Sequence, residues 1–129
     1  MKLKLGAIGI LVKNMGVMVE FYQDVIGLNL EWDGGCFTGV QLENGVFINL
    51  CERSVMDKDG QFSYTKGING TMQITFDVEH PSEVDEEFDR LVKAGATPVI
   101  SPITEVYGLR TCFVADPEGN LIEVCAAVD

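Results

Sequence analysis

From Leu5 to Val12 the chain alternates, with Leu5, Ala7, Gly9 and Leu11 on one parity and Gly6, Ile8, Ile10 and Val12 on the other. A period of two predicts a strand, and its Ile8, Ile10 and Val12 face is fit to pack on a helix. The period then changes. Asn14 can cap a first helical turn, Val17, Met18, Phe21, Tyr22, Val25 and Ile26 recur at helical spacing, and Gly27 ends the run. Strands are predicted next at Leu28–Trp32, Phe37–Leu42 and Val46–Glu52. Asp33-Gly34-Gly35 separates the first two, and Asn44-Gly45 joins the last two as a hairpin, because both turn positions need positive φ. The first half therefore reads β-α-β-β-β.

Between Arg53 and Gly70 the apolar periodicity lapses, and Asp57, Lys58, Asp59, Gly60, Lys66 and Gly67 mark a connecting loop of a length that often carries function. A strand at Thr71–Val78 restarts the pattern. Ser82 with Asp85 resembles a capping box, Val84, Phe88, Leu91 and Val92 form a helical stripe, and Gly95 ends it. Strands follow at Thr97–Ile100, Leu109–Ala115 and Leu121–Ala126, the last two joined by the turn-forming Asp116-Pro117-Glu118-Gly119-Asn120. The second half is again β-α-β-β-β.

The two halves constitute an internal repeat, and each has one helix to cover one face of its sheet. Pairing the uncovered faces would enclose a concave, ligand-sized cleft. The expected fold class is α+β, two tandem β-α-β-β-β modules forming a curved mixed sheet. The chain of 129 residues, 47% hydrophobic and 22% charged, fits one domain, with module one at 3–52, the loop at 53–70 and module two at 71–126.

Charge narrows the partners. Nine Lys and Arg stand against 20 Asp and Glu, a net of −11, which opposes binding to nucleic acid or to an anionic membrane and favours a cationic ligand. The opening residues lack the apolar core of a signal peptide, and no apolar stretch reaches the length of a spanning helix, so a cytoplasmic location is expected. Cys36, Cys51, Cys112 and Cys125 are widely spaced in apolar, strand-like runs with no Cys-x-x-Cys pair, which predicts reduced, buried thiols.

Gly9-Ile-Leu-Val-Lys-Asn-Met15, Glu20-Phe-Tyr-Gln-Asp-Val-Ile-Gly-Leu28, Tyr107-Gly108 and Asp116-Pro-Glu-Gly-Asn-Leu-Ile-Glu-Val124 resemble the vicinal oxygen chelate superfamily. That superfamily groups glyoxalases, extradiol dioxygenases, fosfomycin-modifying enzymes and bleomycin-binding resistance proteins. The closing Asp-Pro-x-Gly-Asn-x-x-Glu is the most specific part. The resemblance implies a glyoxalase/bleomycin-resistance-like fold, dimerisation, and in the enzymes a divalent metal held by the first and last strand of each module. The positions that match are Ala7, Asn49, Gln73 and Glu123. Strand parity read independently puts each of them opposite an apolar face.

Those four residues are a poor ligand set. Ala7 has no donor, Asn49 offers a neutral carbonyl, Glu123 is the one anion, and the single histidine, His80, sits in a loop before the second helix. Neither a metal nor another cofactor is expected. Glu123 amid Leu121, Ile122 and Val124 is either a functional carboxylate, binding a cation or acting as the catalytic base, or a glutamate paired with Gln73 or Arg110. Asn49 and Gln73 can orient a ligand by hydrogen bonds. Phe47, Phe62 and Tyr64 are the better stacking candidates among Trp32, Phe37, Phe47, Phe62, Tyr64 and Tyr107, whereas Phe21, Phe76, Phe88 and Phe113 read as core. Arg110 either clamps a ligand carboxylate or forms a structural ion pair, Cys51 and Cys125 are packing residues, and Asp85-Glu86-Glu87-Asp89 is a solvated helix face.

The function expected is a metal-independent small-molecule-binding protein, a homodimer that holds an organic ligand, a cationic aromatic one being favoured, in an acidic cleft. The alternatives are a glyoxalase-like lyase or isomerase that uses Glu123 to move a proton, and a regulatory or sensory domain.

Overall fold

In the computed structural model, which describes residues 2–128, the chain divides into two units, one running to Tyr64 and the other starting at Thr65. The first unit has strands β1 (Ala7–Val12), β2 (Phe37–Gln41) and β3 (Phe47–Glu52) in the order β1-β3-β2, with β1 parallel and β2 antiparallel to β3. Between β1 and β2 runs helix α1 (Met15–Glu20), where the Asn14 side chain accepts a hydrogen bond from the Val17 amide at 3.1 Å. It continues as a π-helix (Phe21–Ile26) that ends where Gly27 turns left-handed at φ 96°. Ile10, Val12, Met18, Val19, Phe21, Tyr22, Ile48 and Leu50 are buried, so the even-numbered residues of β1 and β3 form the core face.

Leu28–Trp32 is not a strand. The Leu30 amide donates to the Leu28 carbonyl at 2.9 Å, a γ-turn that uses a donor the ladder would need. The segment is held instead by burial of the Leu30 side chain and by the Thr38 hydroxyl, which donates to the Glu31 carbonyl at 2.7 Å. A one-turn helix, α2 (Arg53–Met56), opens the stretch expected to be loop.

The second unit carries β4 (Asn69–Asp77), α3 (Pro81–Lys93), β5 (Thr97–Thr104), β6 (Leu109–Ala115) and β7 (Asn120–Ala127). Sheet order is β4-β7-β6-β5, with β4 parallel to β7 and the other pairs antiparallel. Both units thus place a parallel first strand beside the last one, and the second adds β5. That strand runs four residues beyond the predicted end; its Pro98 and Pro102 are accommodated because it is an edge strand with register shifts.

Helix α3 starts earlier than the Ser82–Asp85 pattern predicts. His80 is the N-cap, Pro81 follows at N1 where a missing N–H costs nothing, and Glu83 Oε1 accepts from the His80 amide at 3.0 Å. Val84 and Leu91 are buried, and the Cys112 thiol reaches the Val84 carbonyl at 3.9 Å, so α3 covers the sheet face that carries Cys112, Val114, Ile122 and Val124. The odd-numbered residues of β6 and β7 lie on the opposite face, open in that α3 does not cover it, although Thr111, Ala115, Glu123 and Cys125 there are themselves buried. All four cysteines are free thiols; Cys36 is exposed, not buried, because it precedes β2 instead of lying in it. No helix among the described residues is long and apolar enough to cross a membrane.

Candidate functional site

Register assembles the site on the open face of the second sheet. Glu123 stands beside Thr75 on β4 and Phe113 on β6, and Phe113 stands beside Ile100 on β5, so these four share one rung. Glu123 is only 9% exposed, and both its oxygens accept from the chain itself. Oε1 takes the Gln73 amide at 2.9 Å and the Thr75 hydroxyl at 2.8 Å; Oε2 takes the Thr111 hydroxyl at 2.7 Å. The same Gln73 nitrogen lies 3.1 Å from Thr75 Oγ1. Three side-chain donors offset much of the desolvation cost of a carboxylate between Ile122 and Val124.

The expected residues divide by location. Gln73 and Glu123 meet directly. Asn49 and Phe47 belong to the first unit, on the parity of β3 opposite Ile48 and Leu50, and the Phe47 ring stacks on Phe37 at 6.2 Å. Asn49 sits between its register partners Gly9 and Gly39. Trp32 closes a surface depression of about 470 Å³ lined by Gly16, Val19, Glu20 and Gln23, and its indole N–H donates to the Gly35 carbonyl at 2.8 Å.

Tyr64 and Phe62 are engaged in local structure. The Tyr64 ring carries the Arg53 guanidinium 3.9 Å above its centroid, and its hydroxyl donates to Asp57 Oδ2 at 3.1 Å. Desolvation, and then that hydrogen bond, push the phenol above its ordinary pKa. Asp57 also accepts the amides of Gln61 and Phe62, at 2.6 and 3.3 Å. Tyr107 is exposed in the β5–β6 turn.

Arg110 lies on the helix-covered face, away from Glu123. Its Nε and Nη2 form a fork on Asp85 at 2.9 and 3.0 Å, while Nη1 donates to Thr104 at 2.9 Å. The Asp85 carboxylate raises the guanidinium pKa still further. Asp85 therefore does not belong to a purely solvated face, and Phe113, read as core, borders Glu123 on the open one. Burial, before any neighbouring charge, pushes the Cys112 and Cys125 thiols up to about 11, and the Cys125 thiol donates to Asp77 Oδ1 at 3.3 Å. Both stay protonated near neutral pH and are poor nucleophiles.

Two residues that matter were not singled out from the sequence. Thr75 and Thr111 share the open-face parity, but only the register brings them to Glu123. Asp116, which opens the turn expected from the sequence, is buried at 1% exposure; it accepts the Glu118 and Asn120 amides at 2.9 and 3.0 Å and so shapes the turn that starts β7. The Gly119 carbonyl of that turn then accepts the Asn69 amide at 2.7 Å, which ties the start of β4 to β7. Gly119 has φ 90°, and a Cβ there would collide with the Gly67 carbonyl oxygen.

Among the described residues no group of three or more His, Cys, Asp or Glu is placed to hold a metal ion. A family model described as Glyoxalase/Bleomycin resistance protein/Dioxygenase superfamily matches residues 4–124. Comparison with curated proteins gave no match. Among solved structures, a glyoxalase/bleomycin resistance protein/dioxygenase family enzyme from Burkholderia phytofirmans PsJN is 25% identical, with a TM-score of 0.82 over 98% of this chain and 100% of that one. A glyoxalase-related enzyme from Fulvimarina pelagi is 21% identical, with a TM-score of 0.81 over 95% of this chain and 87% of that one. A glyoxalase/bleomycin resistance protein/dioxygenase from Nocardioides is 18% identical, with a TM-score of 0.82 over 100% and 86%.

Proposed function

Because the chain belongs to the glyoxalase/bleomycin resistance protein/dioxygenase superfamily, we propose that it is a small-molecule-binding protein that holds an organic ligand on the open sheet face of its second unit without a metal. The observation that carries this reading is that Gln73, Thr75 and Thr111 hydrogen-bond both oxygens of Glu123. A divalent ion does not fit these residues. It would compete with hydroxyl donors at 2.8 and 2.7 Å for the one carboxylate, and the other positions that match the superfamily pattern offer only Ala7, which has no donor atom, and the neutral amides of Asn49 and Gln73. A proton-transfer role for Glu123, as in a lyase or isomerase, is disfavoured, because three of the four lone-pair positions of its carboxylate are taken by Gln73, Thr75 and Thr111 and the fourth, on Oε2, belongs to a residue only 9% exposed.

The ligand would be sequestered, not converted. The Glu123 side chain on that face and the net charge of −11 favour a cation, and Phe113 with the exposed Ile100 and Ile103 supplies apolar surface for a planar body. A homodimer belongs to the same proposal: β4 leaves one edge of the second sheet open along nine residues that contain no proline, a surface suited to pairing with another strand. Free thiols support a reducing, cytoplasmic setting.

The test is a calorimetric screen of matched cationic, neutral and anionic aromatics in metal-stripped buffer at low and high salt. Cations should bind best, and salt should weaken them. Tightest binding of anions, or binding only after a metal is supplied, would overturn the reading.

A further inference from the structure

We infer that the ligand is held through a hydrogen-bond donor of its own at Gln73 Oε1, and that Glu123 serves this contact as a positioning residue that locks the Gln73 amide in one orientation. The inference rests on the proposed binding function and specifies the contacting atom. An amide has two donors on nitrogen and an acceptor on oxygen, and its two orientations are similar in shape. Here the neighbours choose between them. Glu123 Oε1, as a carboxylate oxygen, can only accept, and it lies 2.9 Å from the Gln73 terminal nitrogen. Flipping the amide would set an oxygen there, two acceptors face to face.

Thr75 reinforces the choice. Its hydroxyl proton is directed to Glu123 Oε1 at 2.8 Å, so what it offers Gln73 at 3.1 Å is a lone pair, and that position also demands N–H. Thr111 closes the other side of Glu123 at 2.7 Å from a buried position. With the Gln73 nitrogen committed to Glu123 and Thr75, its carbonyl oxygen, carried by an exposed residue, is the acceptor left for a ligand. The network sets a neutral acceptor of an exposed residue beside a buried carboxylate.

The rest of the face sets the ligand's shape. From β4 across β7 to β6 and β5 there are two and three strand spacings, so Phe113 and Ile100 lie about 10 and about 14 Å from the Gln73 strand. The matching class is an amine, amidinium or amide N–H on an apolar body. Carboxylates and phosphates meet an acceptor with a negative charge behind it.

The experiment uses benzamidine, benzamide and benzoate as probes on the wild-type chain and on Gln73→Met, Glu123→Gln and Thr75→Val, with calorimetry for affinity and 15N–1H spectra for the side-chain amides. The Gln73 amide signals are assigned by their loss in Gln73→Met. Expected are preference for benzamidine over benzoate, a loss of benzamidine affinity of tenfold or more in Gln73→Met, and a narrowed preference in Glu123→Gln and Thr75→Val. The Gln73 amide signals should shift in both of those variants. Benzamidine bound equally by wild type and Gln73→Met would overturn the inference while leaving the binding function standing. Gln73 signals that ignore Glu123→Gln would overturn the lock. Binding of none of the probes to the wild type would overturn the binding function for this ligand class and the proposed contact with it.

Discussion

Thr111→Val removes one hydroxyl and almost no volume, and the hydroxyl it removes donates to Glu123 Oε2 at 2.7 Å. Both ends are shielded, Thr111 at 3% and Glu123 at 9% exposure, so water is poorly placed to replace the lost donor. A hydrogen bond to a charged group contributes about 1.5–3 kcal/mol, and losing it leaves part of a buried carboxylate unsatisfied. The expected loss in stability is therefore about 2 kcal/mol, near a thirtyfold change in the folding equilibrium. In a Glu123→Leu background the hydroxyl has no carboxylate to serve, and the same substitution should be close to neutral. The assay is urea unfolding followed by circular dichroism, with the four proteins of the cycle compared at one pH and an unchanged denaturant slope. An equal cost of Thr111→Val in both backgrounds would refute the reasoning, because the hydroxyl would then be acting elsewhere.

Gly119→Ala should cost more than about 1 kcal/mol, read as a lowered urea midpoint, since it adds both a left-handed alanine and a collision with the Gly67 carbonyl; an unchanged midpoint would contradict the tight turn. Arg110→Lys loses the fork on Asp85 but keeps the charge; because the pair is exposed to solvent, only a small drop in the urea midpoint is expected, with ligand affinity unchanged. In the native protein a thiol reagent should label Cys36 promptly and the other three cysteines only on unfolding, which mass spectrometry reads directly. Cys112 and Cys125 titrate near 11 when folded and from 9.0 when unfolded, so the unfolded chain releases these protons first. Their contribution to stability is full below about pH 9 and is lost as pH rises to about 11; urea midpoints that stay level across that window would contradict it.

The sequence exposes periodicity well and register poorly. Alternation separates Glu123 from Ile122 and Val124, and the buried, helix-covered positions of those two show why it works on a sheet with one covered face. The repeat is legible for the same reason, and the Asp116–Asn120 segment is legible because a turn built on a buried aspartate and a left-handed glycine tolerates few substitutes. Local competition is less visible. Leu28–Trp32 has the composition of a strand, yet a γ-turn at Leu28–Leu30 takes an amide that pairing requires. Partners far apart in sequence are visible only in part: Gln73 is among the candidates for Glu123, 50 positions away, and does meet it. Nothing near Asp85 announces Arg110, 25 positions away, and nothing near Glu123 announces Thr75, 48 positions away. Phe113 looks like core by its apolar neighbours, and only its pairing with Glu123 places it on the open face.

Elemental analysis of the purified chain after equilibration with Zn, Ni, Mn and Fe(II) tests the central claim most directly, because that claim assigns both oxygens of Glu123 to donors of the chain itself. The account predicts no ion held in stoichiometric amount by the wild-type protein, and no difference between it and Glu123→Ala. One ion per chain, retained through desalting and lost in Glu123→Ala, would contradict it.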